Sequence, residues 1–443
     1  MRARAAAVAG LALLAVLAAA GQAPPAKPVT LQEALDAARE NNALLQAARL
    51  DVWASEGRLK EARSFFVPDL VFTEAYSRTN NPVYVFMGKL TQANFTMMDF
   101  YLPKLNNPEP LTNWQSRVEL TAPLFTGGKL KAAYRASKLG VQAAEGRASF
   151  AESSVVKGVT EAFHGSLLAG RAVEVMRETV KTAEAHAAQV EAMHKEGLVL
   201  DSDLLRIRVF AADMRQQASS READAQVARA YLAYAMGYEG EVEPRGEFSP
   251  PESSLPALEE AQRAALESRG DLIAAQAQGE QAIEGIKMSR ADYVPQVGLM
   301  ASYEQDTQAW SPSAWGDNWM LGVQLRLPLF DGGARSGRLQ TAKAQALMAE
   351  KAIVDLKQKV AVEVKSAWVK ARAAEERVAV TTESEAQARE NQRIVALRYG
   401  EGMATITDLL DADTALTAAA LTRAQAIYDV LVERARLMWA MGK

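Results

Sequence analysis

The 443-residue chain has no cysteine at all. Disulfides, thiolate metal sites, cysteine nucleophiles and an N-terminal cysteine that could carry lipid are therefore excluded. Charge of one sign is also missing. Fifty Lys and Arg against 54 Asp and Glu leave a net charge of −4 and no basic tract, which gives nucleic acid no footprint. The three histidines, His164, His186 and His194, form no i,i+4 pair and no His–carboxylate cluster at metal-ligand spacing; they read as helix-surface residues. "LAGRA" (168–172) and "GEGMA" (400–404) are not phosphate loops, and no nucleophile–base constellation occurs. These absences predict no catalysis, no metal and no cofactor. After residue 20 no stretch offers ~18 uncharged apolar residues, so a membrane crossing by the mature chain would not be helical.

What is present begins with an address. Arg2 and Arg4 precede an apolar run from Ala5 to Ala20, and Ala18-Ala19-Ala20 offers a small-x-small cleavage site. The run is shorter than the ~20 residues a membrane helix needs. Residues 1–20 are expected to be a signal peptide and the mature protein to be exported without lipid.

The chain then repeats itself. "PLFTGG" at 123–128 returns as "PLFDGG" at 328–333, an offset of 205 (328 − 123). The same offset lays Gly197 on Gly402, Asp203-Leu204-Leu205 on Asp408-Leu409-Leu410, and Ala235-Met236-Gly237 on Ala440-Met441-Gly442. Upstream, an offset of 227 (295 − 68) lays Arg63 on Arg290, Val67-Pro68 on Val294-Pro295 and Tyr76 on Tyr303. The first half thus carries 22 extra residues (227 − 205), within 79–113. Internal repetition outranks local propensity in deciding architecture. Two repeats are expected, at 21–237 and 256–443, joined by a Glu-, Gly- and Pro-rich linker at 238–255.

Each repeat has one order: helix, strand, loop, strand, long helix, short break, helix. Period-two alternation marks strands near 67–77, 115–125, 294–304 and 318–329. In the second of these, Val118, Leu120, Ala122 and Leu124 share one face, and Arg117, Glu119 and Thr121 the other. Such a strand suits a soluble sheet on a core or a membrane barrel. Aromatics near the strand ends, among them Phe65, Phe66, Trp114, Phe125, Tyr293, Trp319 and Phe330, favour the barrel. Pro123 and Pro328 lack the N–H of a sheet ladder and can end strands, while Gly127-Gly128 and Gly332-Gly333 permit a sharp turn. Long helices without proline follow at 129–195 and 334–400, each ~100 Å long at 1.5 Å per residue. Shorter helices of matching length are expected over 29–64 and 202–237. Four strands cannot close a transmembrane barrel, which needs at least about eight. The chain is therefore expected to share its strands within an oligomer.

With its duplicated plan, both "PLF-x-GG" junctions and the two "EG" breaks at 196–197 and 401–402, the sequence resembles the TolC family of outer-membrane efflux proteins. The resemblance implies an α+β fold: a homotrimeric duct with four strands per chain in a shared twelve-stranded outer-membrane barrel, and a long periplasmic α-helical barrel. It implies a passive exit duct in a Gram-negative outer membrane, serving a tripartite efflux or type I secretion system. Its partners would be a periplasmic adaptor and an inner-membrane pump of resistance-nodulation or ABC type. The alternative reading is a periplasmic coiled-coil spacer or adaptor whose sheets pack in water.

The resemblance also carries residues. The tips "EGLVLDSDLL" (196–205) and "EGMATITDLL" (401–410) match the adaptor contact, with Gly197, Leu198, Val199 and Leu200, and Gly402, Met403, Ala404 and Thr405. Read without the family, Gly ends one helix and Asp203 or Asp408 caps the next. Tyr399, Asp408 and Asp411 match a periplasmic gate, where carboxylate crowding would attract cations and raise pKa values. Some members lock the entrance with an arginine where this chain has Ala404, so a lock of that kind is either absent here or built differently, through Arg206 or Arg398. Asp203 is expected to pair with Arg206.

Overall fold

The structure is a computed structural model that describes residues 26–251, 253–309 and 316–443. The expected signal peptide at 1–20 lies outside the described residues. The chain divides into two compact units: residues up to Leu50 with Gly146–Leu272 and Leu356–Lys443, and Asp51–Glu145 with Ile273–Asp355.

In the first unit, strand β1 (Lys27–Val29) leads to helix α1 (Leu31–Asn41) and the first turns of α2 (Ala43–Ser64), most of which belongs to the second unit. The single helix expected over 29–64 is thus broken. At Asn42 the backbone turns extended (φ −66°, ψ 120°), and its side chain donates to the Ala235 carbonyl at 3.0 Å while accepting from Leu44 N–H at 3.0 Å. The second repeat breaks at the matching place: Arg269 (φ −68°, ψ 121°) separates α7 (Leu258–Ser268) from α8 (Gly270–Ala291). Neither break falls on proline. Each is made by docking. Gly237 ends helix α6 (Asp201–Met236), and a Cβ there would lie 2.6 Å from the Asn41 carbonyl oxygen. Gly442 follows helix α10 (Ile406–Ala440), and a Cβ there would lie 2.8 Å from the Arg269 nitrogen. The last helix of each repeat therefore closes on the kink of its own repeat. The expected linker at 238–255 is not wholly irregular, because β4 (Val242–Pro244) pairs parallel with β1. Val29 and Val242 of this pair join Ala34, Ala38, Phe163, Leu232 and Met236 in one core.

The second unit holds an antiparallel sheet in the order β2 (Asp69–Thr79), β3 (Leu111–Phe125), β5 (Gln296–Thr307), β6 (Gly316–Arg326). These bounds shift the expected strands by a few residues. β3 is longer because Leu111, Thr112 and Asn113 pair with Thr79, Arg78 and Ser77. Pro123 does not end its strand but sits inside β3, where the register with β5 slips between Pro123 and Phe125. Pro328 lies beyond the end of β6. Register makes the two faces explicit. Leu70, Leu120, Ala301 and Leu321 form one cross-strand row, and Phe72, Val118, Tyr303 and Trp319 the next. Alternate rows carry Thr73, Arg117, Glu304 and Asn318, with Arg117 and Glu304 paired at 2.7 Å. Between β2 and β3 the first repeat inserts α3 (Pro82–Thr91), a 3-10 turn (Met97–Phe100) and α4 (Leu102–Asn106).

Helices α5 (Lys129–Lys195) and α9 (Ala334–Gly400) start directly after the glycine pairs. Gly127 and Gly128 have φ of 61° and 86°, and Gly332 and Gly333 have 65° and 92°, conformations that cost an L side chain about 1–2 kcal/mol each. Asp292 draws the two helix starts together, accepting from Lys129 at 2.8 Å and Arg338 at 3.3 Å. The two junctions are not equally tolerant. A Cβ at Gly127 would meet Val294 Cβ at 2.9 Å, whereas Gly332 faces open space. Gly127→Ala is therefore expected to lower the melting temperature clearly more than Gly332→Ala in a side-by-side thermal unfolding experiment. Equal losses would show that φ alone governs both sites.

Candidate functional site

Both breaks after the long helices close in the same way. Gly197 (φ 73°) sends its N–H to the His194 carbonyl, and Leu198 to that of Met193, both at 2.9 Å. Gly402 (φ 74°) bonds the Tyr399 carbonyl at 3.0 Å, and Met403 that of Arg398 at 2.8 Å. This is the paired C-terminal closure in which a left-handed glycine lets two orphan carbonyls find donors. Leu198, Leu200 and Met403 are left exposed, while Val199 and Ala404 fold in against a core of Val190, Leu204, Ile207, Ile406, Leu409 and Leu410.

The caps differ from expectation. The N-caps are Leu200 and Thr405, not Asp203 and Asp408. Asp408 stands three positions further in and completes a capping box. Its carboxylate accepts from Thr405 N–H at 2.8 Å and Thr405 Oγ1 at 2.7 Å, and Asp408 N–H returns a bond to Thr405 Oγ1 at 3.2 Å. These bonds to Thr405, with Arg398 nearby, hold its pKa below the ordinary aspartate value. Leu200 has no side-chain acceptor to offer. Instead His194 Nε2 and Asp201 Oδ1 meet at 2.6 Å across the first break.

Asp408 and Asp411 are both exposed on α10. Tyr399 does not join them: it is 5% exposed, packed in the tip core, and its hydroxyl finds no hydrogen-bond partner among the described residues. Burial raises its pKa, with the Asp203 charge adding to the effect. Within one chain Tyr399 is thus a core residue beneath the acidic surface. Arg206 does not serve Asp203 either. Its guanidinium donates to Thr407 Oγ1, tying the first-repeat tip to the second.

Two of the three histidines are not surface residues, whereas His194 is part-exposed at the tip. His164 is buried, which lowers its pKa. His186 Nε2 lies 3.4 Å from Asp413 Oδ2, and Asp413, only 4% exposed, also accepts from Gln392 at 2.9 Å. One buried carboxylate thereby links α5, α9 and α10. The sequence held a signal for it: Asp413 follows Ile406, Leu409 and Leu410 at helical spacing, an acidic residue on an apolar stripe. Among the described residues no group of three or more His, Asp or Glu is placed to hold a metal, and no helix is long and apolar enough to cross a membrane.

The profile of the outer membrane efflux protein family matches residues 34–238 and 262–443. Over 185 residues the chain is 29% identical to the outer membrane efflux protein BepC of Brucella suis biovar 1 (strain 1330), spanning 42% of this chain and 41% of BepC. It is 24% identical over 410 residues to the probable outer membrane lipoprotein SilC of Salmonella typhimurium, 86% of this chain and 87% of that one. The fold matches that of the channel protein CusC with a TM-score of 0.79 at 17% identity, covering 93% of this chain and 91% of CusC. The tip, the junctions and the two-faced sheet thus sit in a TolC-like duplicated fold, and the chain belongs to the outer membrane efflux protein family.

Proposed function

We propose that three copies of this chain close one outer-membrane barrel and form a passive exit duct. One observation carries this: a four-stranded sheet with one apolar and one polar face, whose edge strands β2 and β6 have no further partner among the described residues. In lipid such edges would leave backbone N–H and C=O groups unsatisfied, at several kcal/mol each, so the sheet must close through other copies. A periplasmic spacer would not expose rows such as Leu70–Leu120–Ala301–Leu321 to water.

A periplasmic adaptor meets the tips through Leu198, Leu200 and Met403, around the turns built by Gly197, Val199, Gly402, Ala404 and Thr405. Asp408 and Asp411 of three chains ring the entrance, and an inner-membrane pump of resistance-nodulation or ABC type supplies the energy. The duct itself performs no chemistry. Residues 1–20 direct export, 21–237 and 256–443 are the two repeats, and 238–255 connects them. SilC is named a lipoprotein. A chain without cysteine has no thiol to acylate, which favours an anchor made by the barrel alone.

Mass measurement in mild detergent should give three copies, and the protein should leave membranes only with detergent. A dispersed monomer that keeps its β signal, or release into a detergent-free periplasmic extract, would overturn this reading.

A further inference from the structure

The first-repeat insert makes two sets of contacts within the chain. One is its own small core: Phe95 meets Phe86 at 4.9 Å and Phe100 at 5.1 Å, both edge-on, and Lys89 pairs with Asp99 at 2.5 Å. The second fastens it to the sheet. Gln92 donates to the Thr112 carbonyl at 2.9 Å and to Asn113 Oδ1 at 2.7 Å, and Asn113 donates to Asp306 Oδ1 at 2.5 Å. Asn318 donates to the Thr91 carbonyl at 3.3 Å, and Gly316 comes so close to that carbonyl that any Cβ would overlap it. Asn113, Asp306, Gly316 and Asn318 all lie on the face of the sheet that carries Arg117 and Glu304. The insert is therefore anchored on the polar face. What these contacts leave uncovered is apolar surface: Val83, Tyr84, Met87, Met98 and Tyr101 are exposed, and Met97 is 84% exposed.

If the duct reading holds, on which this inference rests, the apolar face meets lipid and the polar face lines the lumen. Strands about 4.8 Å apart and tilted by about 40° give a twelve-stranded barrel a backbone radius of about 12 Å. A helix with its side chains is about 10 Å across, and three such cylinders in contact need a circle of radius about 11 Å. Three inserts would fill that space.

We propose that the uncovered surface of each insert packs against the same surface of the other two copies, forming an apolar plug at the barrel exit. The occupant of the patch is thus a second copy of this chain. The anchors and the contacts have different strengths. Gln92, Asn113 and the buried Asp306 hold each insert to its own wall through directional bonds. The plug itself is made of methionine and aromatic surfaces, and flexible thioether chains repack at low cost. Opening therefore separates the three inserts from one another without detaching them, and at rest the exit resists ions because its lining is apolar.

The absence of native cysteine makes the test direct. Single replacements Met87→Cys, Met97→Cys and Met98→Cys, oxidised or treated with a short bismaleimide in trimers verified by native mass, should give covalent dimers on denaturing gels. A second variant, with 82–106 replaced by a Gly-Ser linker, should show a several-fold rise in single-channel conductance. Verified trimers in which no position cross-links, or an assembled linker variant that conducts like the parent, would overturn the plug while leaving the duct intact. Should the linker variant not assemble, the cysteine variants decide alone. A protein that never forms trimers would remove both readings together.

Discussion

Arg269→Met should destabilise the fold strongly, costing about 3 kcal/mol or more. The guanidinium is 2% exposed and does several jobs at once. It meets Asp271 through two bonds at 3.0 and 2.7 Å and Glu363 at 2.6 Å, and stacks within 5.6 Å of Phe150 and 5.3 Å of Trp439. It does this at the break between α7 and α8, where Gly442 closes the second repeat. Methionine fills much of the volume but leaves two carboxylates facing a site built for a cation. Breaking a buried pair from one side costs about 3–5 kcal/mol, and the partial solvation of Asp271 and Glu363 places this case at the lower end. Arg269→Lys keeps the charge but not the forked geometry, so it should fall between. Thermal unfolding followed by circular dichroism is the measurement. An Arg269→Met protein that melts with the parent would show that the cage is ornamental to stability.

The same residue explains what the sequence could and could not say. Duplication, strand periodicity and the glycine pairs were legible because each is written locally, in repeated words or in spacing. The long helices were legible because proline is absent over 129–195 and 334–400. The breaks at Asn42 and Arg269 were not, since neither residue is a helix breaker by propensity. The kink is imposed by the docking of Gly237 and Gly442, which lie far along the chain. The burial of Tyr399 was not legible either, because the packing of Ile207, Ile406 and Leu409 around it comes from separate helices. Pro123, which lacks a ladder N–H and can end a strand, is instead accommodated inside β3 by a slipped register. His186 and Asp413 meet across two helices, and no local window contains both.

At the entrance, Asp408→Asn with Asp411→Asn is expected to reduce cation selectivity in planar bilayers strongly and to relieve block by multivalent cations. Three chains would bring six carboxylates (2 × 3) to one constriction, and attraction for multivalent ions depends on the summed charge. The two positions should not behave alike in stability. Asp411 is exposed, so its neutralisation should leave the fold untouched. Asp408 belongs to the Thr405 capping box, and asparagine keeps an acceptor there while losing the charge that favours a helix N-terminus, a small loss. pH supplies an independent check. Because the folded pKa of Asp408 is depressed, its contribution to stability is full above the unfolded value and disappears as pH falls through the folded one. The part of the parent's cation selectivity that the Asp408 charge supplies should therefore persist on mild acidification and be lost as pH falls through its depressed folded pKa. The double variant should be flat across that window. Unchanged selectivity in assembled double-variant trimers, or a parent with no acidic transition, would remove Asp408 and Asp411 from the gate.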